Sequence, residues 1–414
     1  RYLIGGIVMT KVAIMGYGVV GSGLIELIDK NREYNREDDI KITSILVRNK
    51  EKHLNSSHNE VITTDVEEFF SIKSDVVIEV IGGLHPAYDY VKRALALGKH
   101  VVTANKDLIA TFGHELFQLA QENNVSLKFE AAVAGGIPII KPLTESLYGN
   151  GISSIKAILN GTTNFILTKM DGENLSYEEA LSEAQQLGFA EANPESDVMG
   201  YDSARKLAIL SSLAFDKKFK WDDISIEGIT NIDTNDFKYA NKLNCKIKLV
   251  AEAFKCKSGV YTSVKPILVD NESILAQINN EVNAVILNGD EIGELLFVGK
   301  GAGKLPTGSA VYSDLNDIIN NRFTKVDSFN KEEANVIKFA SKTCNCILRI
   351  KALDKEEVIN RCREAFNNIK VIDKSIDDEV AIFIECTSEA YVEKFIEEIE
   401  DETYYEGAKK LIVA

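Results

Sequence analysis

The first 244 residues of this 414-residue chain contain no cysteine. That excludes a cysteine nucleophile and a disulfide framework from more than half of the chain. The six cysteines that do occur are Cys245, Cys256, Cys344, Cys346, Cys362 and Cys386. They have neither zinc-type nor thioredoxin-type spacing, so reduced thiols are expected. If a strand carries Cys344 and Cys346, both side chains share one face. The five histidines, His53, His58, His85, His100 and His114, are scattered, and no pair has metal-ligand spacing. Positive charge is also short. Lys and Arg number 47 against 63 Asp and Glu, a formal net charge of −16. Such a balance argues against nucleic acid or an anionic membrane as the main partner. No apolar run approaches the roughly 20 residues of a membrane span. Residues 1–8 are too short for a secretory signal, so Met9 is expected to be the natural start and the protein to be cytoplasmic. Repeats and low-complexity tracts are missing as well.

What is present is an alternation of short apolar runs and amphipathic segments. Residues 10–16, TKVAIMG, form a β-rich run, and residues 19–31 follow as a helix with Val20, Leu24, Leu27 and Ile28 on one stripe. A second strand is expected at 42–47. Between the first strand and the helix lies G-x-G-x-x-G, made by Gly16, Gly18 and Gly21 with Val19 and Val20 inside it. In this setting the motif implies a bound dinucleotide. Gly16 permits the tight turn, Gly18 lets the pyrophosphate approach the backbone, and Gly21 lets helix and sheet pack closely. The helix N-terminus then faces the phosphates. An NAD-preferring site carries Asp or Glu at the end of the second strand, whereas this chain has Arg48, Lys50 and Lys52. Cations there suit a 2′-phosphate, so NADP(H) is preferred and NAD(H) stays possible. A solvated turn is the plainer account of the same three residues.

The alternation continues through strands at 74–83, 99–106 and 126–133, with helices over 86–97 and 113–123. This pattern predicts an α/β fold, a Rossmann-type doubly wound parallel sheet. Gly82, Thr103 and Lys106 fall at the carboxyl ends of its strands, where such sheets bind ligands. Beyond 141 the pattern changes to strands near 153–159, 224–229, 246–254, 260–268 and 282–287, with helices near 163–170, 177–186 and 198–214. A mixed α+β domain is expected there. The glycine-rich stretch 298–315 then leads into a returning helix. The last 75 or so residues follow a β-α-β-β-α-β order, which is ferredoxin-like.

Several polar groups converge in residues 184–206, AQQLGFAEANPESDVMGYDSARK. Asn193-Pro194 forces a turn, because proline disfavours helix in the residue before it. Asp197 falls near the start of the next helix, and Asp202 and Lys206 share one helical face as i and i+4. On spacing alone, a surface ion pair followed by a core stripe of Leu207, Ile209 and Leu210 explains these residues equally well.

This stretch resembles the signature of the homoserine dehydrogenases. The signature is met in order by Ala184, Gly188, Phe189, Ala190, Asn193, Pro194, Asp197, Gly200, Asp202 and Lys206. Further matches are the glycine turn, TANK (103–106), EAAVAGGIP (130–138), NGTTN (160–164) and GAGKLPTGSAV (301–311), which together cover roughly residues 10–320. The resemblance implies interconversion of L-aspartate 4-semialdehyde and L-homoserine with a nicotinamide cofactor. It implies Lys206 as the acid/base at the C4 oxygen and Lys106 as a second active-site lysine, with Asp202 beside them. Glu191 and Asp202 match carboxylates that hold the amino-acid end of the substrate, Asp197 a further acidic position, and Thr162 a loop lining the site. Glu130, Val133, Gly135 and Ile137 match a monovalent-cation loop, for Na+ or K+, that ligates mostly through carbonyls. Gly303 matches a second glycine turn that closes over the cofactor. Lys106 also has a plainer account, as a contact to cofactor phosphate or a helix cap.

The chemistry is consistent with these roles. Hydride addition to an aldehyde builds alkoxide charge that needs a proton donor or a cation. Two lysines close together in a cleft depress each other's pKa. The resemblance places a nucleotide-binding domain at 9–140, closed by 300–325, a substrate and dimerisation domain at 141–320, and an ACT-like domain at 340–414. A homodimer or homotetramer acting on a small molecule is expected. With the glycine motif so near the first residue, a monofunctional chain is expected too. The tail departs from the ACT pattern, since RIKALDKEEVIN has neither Pro nor Gly after the first strand and no glycine follows until Gly407. Two further readings stay open. One is another NADP-linked reductase of an amino-acid aldehyde, and the other is a dinucleotide or amino-acid sensor on the same scaffold.

Overall fold

The computed structural model describes residues 9–33, 40–320, 332–337, 343–376, 378–400 and 405–413. Residues 321–325, in the expected closing segment, lie outside them. Two compact units share the chain. The first is drawn from residues 1–152, 205–221 and 288–333, and the second from 153–204, 222–287 and 334–414. No helix among the described residues is long and apolar enough to cross a membrane.

In the first unit, six parallel strands lie in the order Ile62–Thr63, Ile40–Leu46, Thr10–Met15, Val76–Glu79, His100–Thr103 and Leu127–Lys128. By chain position that is 3-2-1-4-5-6, the order of a Rossmann sheet. Strands covered on both faces carry uninterrupted apolar runs, and Val12–Met15 and Val76–Ile78 are fully buried. Leu24, Ile25 and Ile28 of the helix Val19–Glu33 pack on this sheet with Val311, Leu315 and Ile318 of the returning helix Lys304–Ile319. Each such side chain contributes about 1.5–3 kcal/mol on burial. The helix expected from 113 begins at Lys106, because the Asn105 side chain accepts the Leu108 N–H and caps it. The returning helix begins at Lys304, inside the glycine-rich stretch rather than after it, and a strand at Gly293–Lys300 had no clear sequence signal.

The second unit is built on a mixed sheet. Its strand order runs Val282–Gly289, Ile152–Ile158, Cys245–Cys256, Gly259–Asp270, Tyr405–Val413, Cys344–Ala352, Glu379–Thr387 and Ile369–Asp373. The tail, with helices Lys355–Ala365 and Glu389–Ile399, keeps the expected β-α-β-β-α-β order. Its sheet does not stand alone, however. Ile412 and Val413 pair in parallel with Ile267 and Leu268. A helix that the sequence left unmarked, Thr234–Lys242, starts in a capping box made by Asp233 and Asp236. Those two acids also receive the tail. Arg349, 5% exposed, pairs with Asp236 at 2.5 Å, Glu379 at 2.7 Å and Asp233 at 2.9 Å. Tyr239 donates to Glu379 at 2.7 Å, and Lys409 reaches Asp236. All six cysteines are free thiols, and burial pushes those of Cys346 and Cys362 up to about 12. A register shift between Cys344 and Cys346 breaks the simple alternation, leaving Cys346 buried and Cys344 partly exposed.

Candidate active site

In the first unit the glycine turn is made by contacts that leave no space for a side chain at two of its three glycines. Gly16 has φ +106°, and a Cβ there would lie 2.8 Å from the Val80 carbonyl oxygen. A Cβ on Gly21 would lie 2.3 Å from the Gly16 carbonyl oxygen. Gly18 differs, because no atom lies within 4 Å of where its Cβ would stand. Beside it Val19 is 64% exposed and Val20 half-buried. The turn thus presents bare backbone and an apolar side chain at a helix N-terminus, the environment a pyrophosphate needs. At Gly23 the returning helix comes so close that a Cβ would lie 2.2 Å from the Lys304 carbonyl oxygen, and Gly303, with φ +116°, leads into that helix. Arg48, Lys50 and Lys52 are exposed just beyond the second strand.

A buried network shapes the next turn. Glu79 is fully buried and accepts the N–H groups of Ile81 at 2.8 Å and Gly82 at 3.1 Å. Its other oxygen accepts the Thr103 hydroxyl at 2.5 Å. Burial pushes the Glu79 carboxyl above its ordinary range, and these donors partly offset it. Thr103 is therefore a support beneath Gly82, with no exposed surface of its own. Asn105 donates to the Gly83 carbonyl at 2.7 Å, which ties the same turn to the start of the Lys106 helix. Lys106 and Lys206 are both half-buried. Their neighbours Asp107 and Arg205 form an ion pair at 3.2 Å, so the first turn of the Lys106 helix meets the turn that carries Lys206.

The expected cation loop lies in the same unit. Glu130 spends its carboxylate on backbone. Oε1 accepts from Ile139 at 2.6 Å and Ile140 at 2.8 Å, and Oε2 from Lys141 at 2.8 Å. A cation here would be held by carbonyl oxygens rather than by that carboxylate. Ala134 and Gly135 have φ of +56° and +50°, and a Cβ on Gly135 would lie 2.4 Å from the Gly301 carbonyl oxygen. Asp314 accepts the Glu130 N–H at 2.8 Å, and burial together with the Glu130 charge pushes its carboxyl up to about 7. Among the described residues no group of three or more His, Cys, Asp or Glu forms a metal site.

In the second unit the helix Gly161–Glu173 assigns its opening side chains to separate segments. Asn160 caps it by accepting the Thr163 N–H at 2.8 Å. The Asn160 amide nitrogen donates to Asp197 at 2.7 Å and to Asp202 at 2.9 Å. Thr162 donates to the Phe189 carbonyl at 2.6 Å, two residues from the exposed Glu191. Asp197 lies in a short helix, Glu195–Val198, and Gly200 with φ +83° separates it from the helix Tyr201–Phe215. Asp202 and Lys206 stand one turn apart on that second helix.

Asn164 donates to the carbonyls of Ile278 and Val282, both at 3.1 Å. Its oxygen faces Lys248, whose buried ammonium donates to Ile278 O at 2.5 Å, Asn279 Oδ1 at 3.1 Å and Asn164 Oδ1 at 3.2 Å. Burial, with Lys246 nearby, pushes the Lys248 amine down from 10.5 to about 8. The folded state therefore releases this proton before the unfolded chain does. Stability due to this group is lowest below pH 8 and rises as pH climbs from 8 to 10.5. Unfolding free energies of the wild type minus those of Lys248→Met are expected to increase by about 3 kcal/mol across that window. Urea titrations at both ends would show it, and a flat difference would refute the buried charge.

Glu79 and Lys248 were not marked by the sequence, and Asn160 was marked only as the first residue of NGTTN, with no role of its own. A carboxylate inside the apolar run VVIEVI was the available signal for Glu79. Asn160 before a helix passes for an ordinary cap, and Lys248 alternates with Lys246 along a strand as surface lysines do.

Sheet order and glycine turn together place the chain among the dinucleotide-binding proteins of the Rossmann fold. Comparison with known proteins makes this specific. Residues 16–130 match the family model of the homoserine dehydrogenase NAD binding domain, and residues 138–316 that of homoserine dehydrogenase. A homoserine dehydrogenase of Bacillus subtilis is 43% identical over 316 residues, 75% of this chain and 73% of that enzyme. The crystal structure of one from Thiobacillus denitrificans superposes with a TM-score of 0.90 at 34% identity, covering 99% of each chain. A hyperthermophilic archaeal homoserine dehydrogenase in complex with NADPH gives a TM-score of 0.65 at 29% identity, covering 76% of this chain and 98% of that one. This chain belongs to the homoserine dehydrogenases.

Proposed function

We propose that this chain interconverts L-aspartate 4-semialdehyde and L-homoserine, with Lys206 as the proton donor and acceptor at the C4 oxygen. The observation that carries this is the shared amide between Asp197 and Asp202. It gathers two carboxylates one helical turn before Lys206, a binding group for an ammonium next to a proton-transfer group. Asp202 and Glu191 hold the substrate ammonium, with Asp197 beside them and Thr162 fixing the segment that bears Glu191. Lys106, at the strand end on the nicotinamide side, adds a second positive charge where alkoxide develops.

The bound cofactor supplies or accepts the hydride at C4. Gly16, Gly18, Val19, Val20 and Gly21 would receive its phosphates, Gly82 and Lys106 would flank the nicotinamide, Thr103 would support that turn, and Gly303 would close over it. NADP(H) is the favoured form, supported by the exposed Arg48 and by the NADPH bound to the archaeal relative. A monovalent cation, Na+ or K+, would sit on the carbonyls of Glu130, Val133, Gly135 and Ile137, where left-handed backbone at Ala134 and Gly135 redirects the chain. The tail is read as an ACT-like domain whose part is structural. Its Arg349 network and its strand pairing with Ile267 and Leu268 support this. A homodimer or homotetramer is the proposed assembly.

Homoserine-dependent reduction of NADP+ tests the central claim. Lys206→Ala is expected to fold and bind NADP+ while kcat falls by about 10²–10⁴. A folded variant with near-normal kcat would remove Lys206 from the chemistry.

A further inference from the structure

Helix capping alone does not explain why residue 160 is asparagine. Serine, aspartate and asparagine cap equally well, since each offers an oxygen to the first-turn N–H groups. Asn160 uses its oxygen in this way, accepting from Thr163 N–H at 2.8 Å and from the Thr163 hydroxyl at 3.1 Å. That contact decides how the amide faces, because with the oxygen turned to the helix the nitrogen must point the other way. The nitrogen then meets two carboxylates, Asp197 Oδ1 at 2.7 Å and Asp202 Oδ2 at 2.9 Å. Asn160 and Asp202 are each 5% exposed, so the arrangement is set by packing rather than by solvent. Only an amide combines an acceptor for the cap with two donors for two acids.

We propose that Asn160 is a positioning residue for the substrate's ammonium. It holds Asp197 and Asp202 side by side as a pair that answers one cation, and so it sets the selectivity for an amino-acid aldehyde over its deaminated counterpart. Two carboxylates packed together repel one another, and a neutral donor between them stabilises both with short charge-assisted hydrogen bonds. Aspartate at 160 would fill the same volume and keep the cap, yet it would replace two N–H donors with a third carboxyl group set against two carboxylates. The proposal rests on Asp202 binding substrate, as set out above.

Three variants of the full-length protein separate the possibilities, assayed with L-homoserine and NADP+. Asn160→Ser keeps the cap and replaces the two N–H donors with one shorter hydroxyl that cannot serve both acids, and its KM for homoserine is expected to rise about tenfold. Its KM for NADP+ should stay close to wild type, while the melting temperature falls by a few degrees because the buried Asp202 loses a donor. Asn160→Asp, the better steric match, is expected to be the worse enzyme, with a larger rise in KM for homoserine. A packing role predicts the reverse order, with aspartate nearly silent, and that order would overturn the proposal. So would a parallel rise in both KM values. Asp202→Asn is measured alongside. If it leaves the KM for homoserine unchanged, the underlying site assignment fails. If it raises that KM while both Asn160 variants remain normal, the site assignment stands and the positioning role of Asn160 is wrong.

Discussion

Replacing Arg349 with alanine is expected to lower the unfolding free energy by about 3–5 kcal/mol, the cost of stripping one partner from a buried ion network. The guanidinium touches three carboxylates, those of Asp233, Asp236 and Glu379, and Asp236 and Glu379 are themselves buried. Without it, Asp236 keeps Lys409 and Glu379 keeps the Tyr239 hydroxyl, and neither replaces the charge that all three acids share. Lysine at 349 should recover little, because a single ammonium cannot reproduce a planar fork that reaches several acids at once. Denaturant midpoints would measure the loss. Since Arg349 joins the first tail strand to the Thr234–Lys242 helix, the variant should also expose the tail to proteolysis before the Rossmann sheet is cut. A stability change below about 1 kcal/mol would place this network with ordinary surface pairs.

Gly18→Ala and Gly21→Ala should fail in opposite ways, although both add one methyl group to the same motif. At Gly21 the methyl meets the Gly16 carbonyl oxygen at 2.3 Å, rigid backbone that must move. A loss of about 1–3 kcal/mol in stability is expected. At Gly18 the methyl meets nothing within 4 Å. The free protein should be as stable as wild type, or more so by about 0.4–1 kcal/mol, through a stiffer unfolded chain. Its cost appears only when a pyrophosphate needs that space. An overpacking penalty of about 1–3 kcal/mol is then expected, about 5- to 150-fold in affinity for NADP+. Melting curves and cofactor titrations on the two variants would separate the effects. Normal NADP+ affinity in Gly18→Ala would remove the cofactor from that turn.

How much of this was legible beforehand follows from the range of the forces involved. The Rossmann sheet could be read because strands buried on both faces have no choice but to be apolar, and its glycines are local steric necessities. Boundaries slipped where one polar side chain outweighed periodicity, as when Asn105 started its helix seven residues before the expected position at 113. The signature acids and lysines stand in the sequence as residues, but the hydrogen bonds that connect them do not. Asp197 and Asp202 are joined through Asn160, about forty positions away, and Arg349 finds two of its three partners, Asp233 and Asp236, more than a hundred residues upstream. Pairings between distant segments leave no periodic trace. Thr234–Lys242 went unmarked because so short a helix depends on its capping box and on what packs against it.

The place of strand Tyr405–Val413 bears on how the protein is made. It lies between Gly259–Asp270 and Cys344–Ala352, so the centre of the second unit's sheet is filled by residues synthesised well over a hundred positions after the strand they complete. At ~5–20 residues per second on the ribosome, that separation takes about 7–30 s, during which Gly259–Asp270, paired on one side with Cys245–Cys256, has an open edge at Ile267 and Leu268. Open strand edges of this kind invite association between chains. A nascent chain of this protein is therefore expected to carry that open edge until Tyr405–Val413 has emerged to close it.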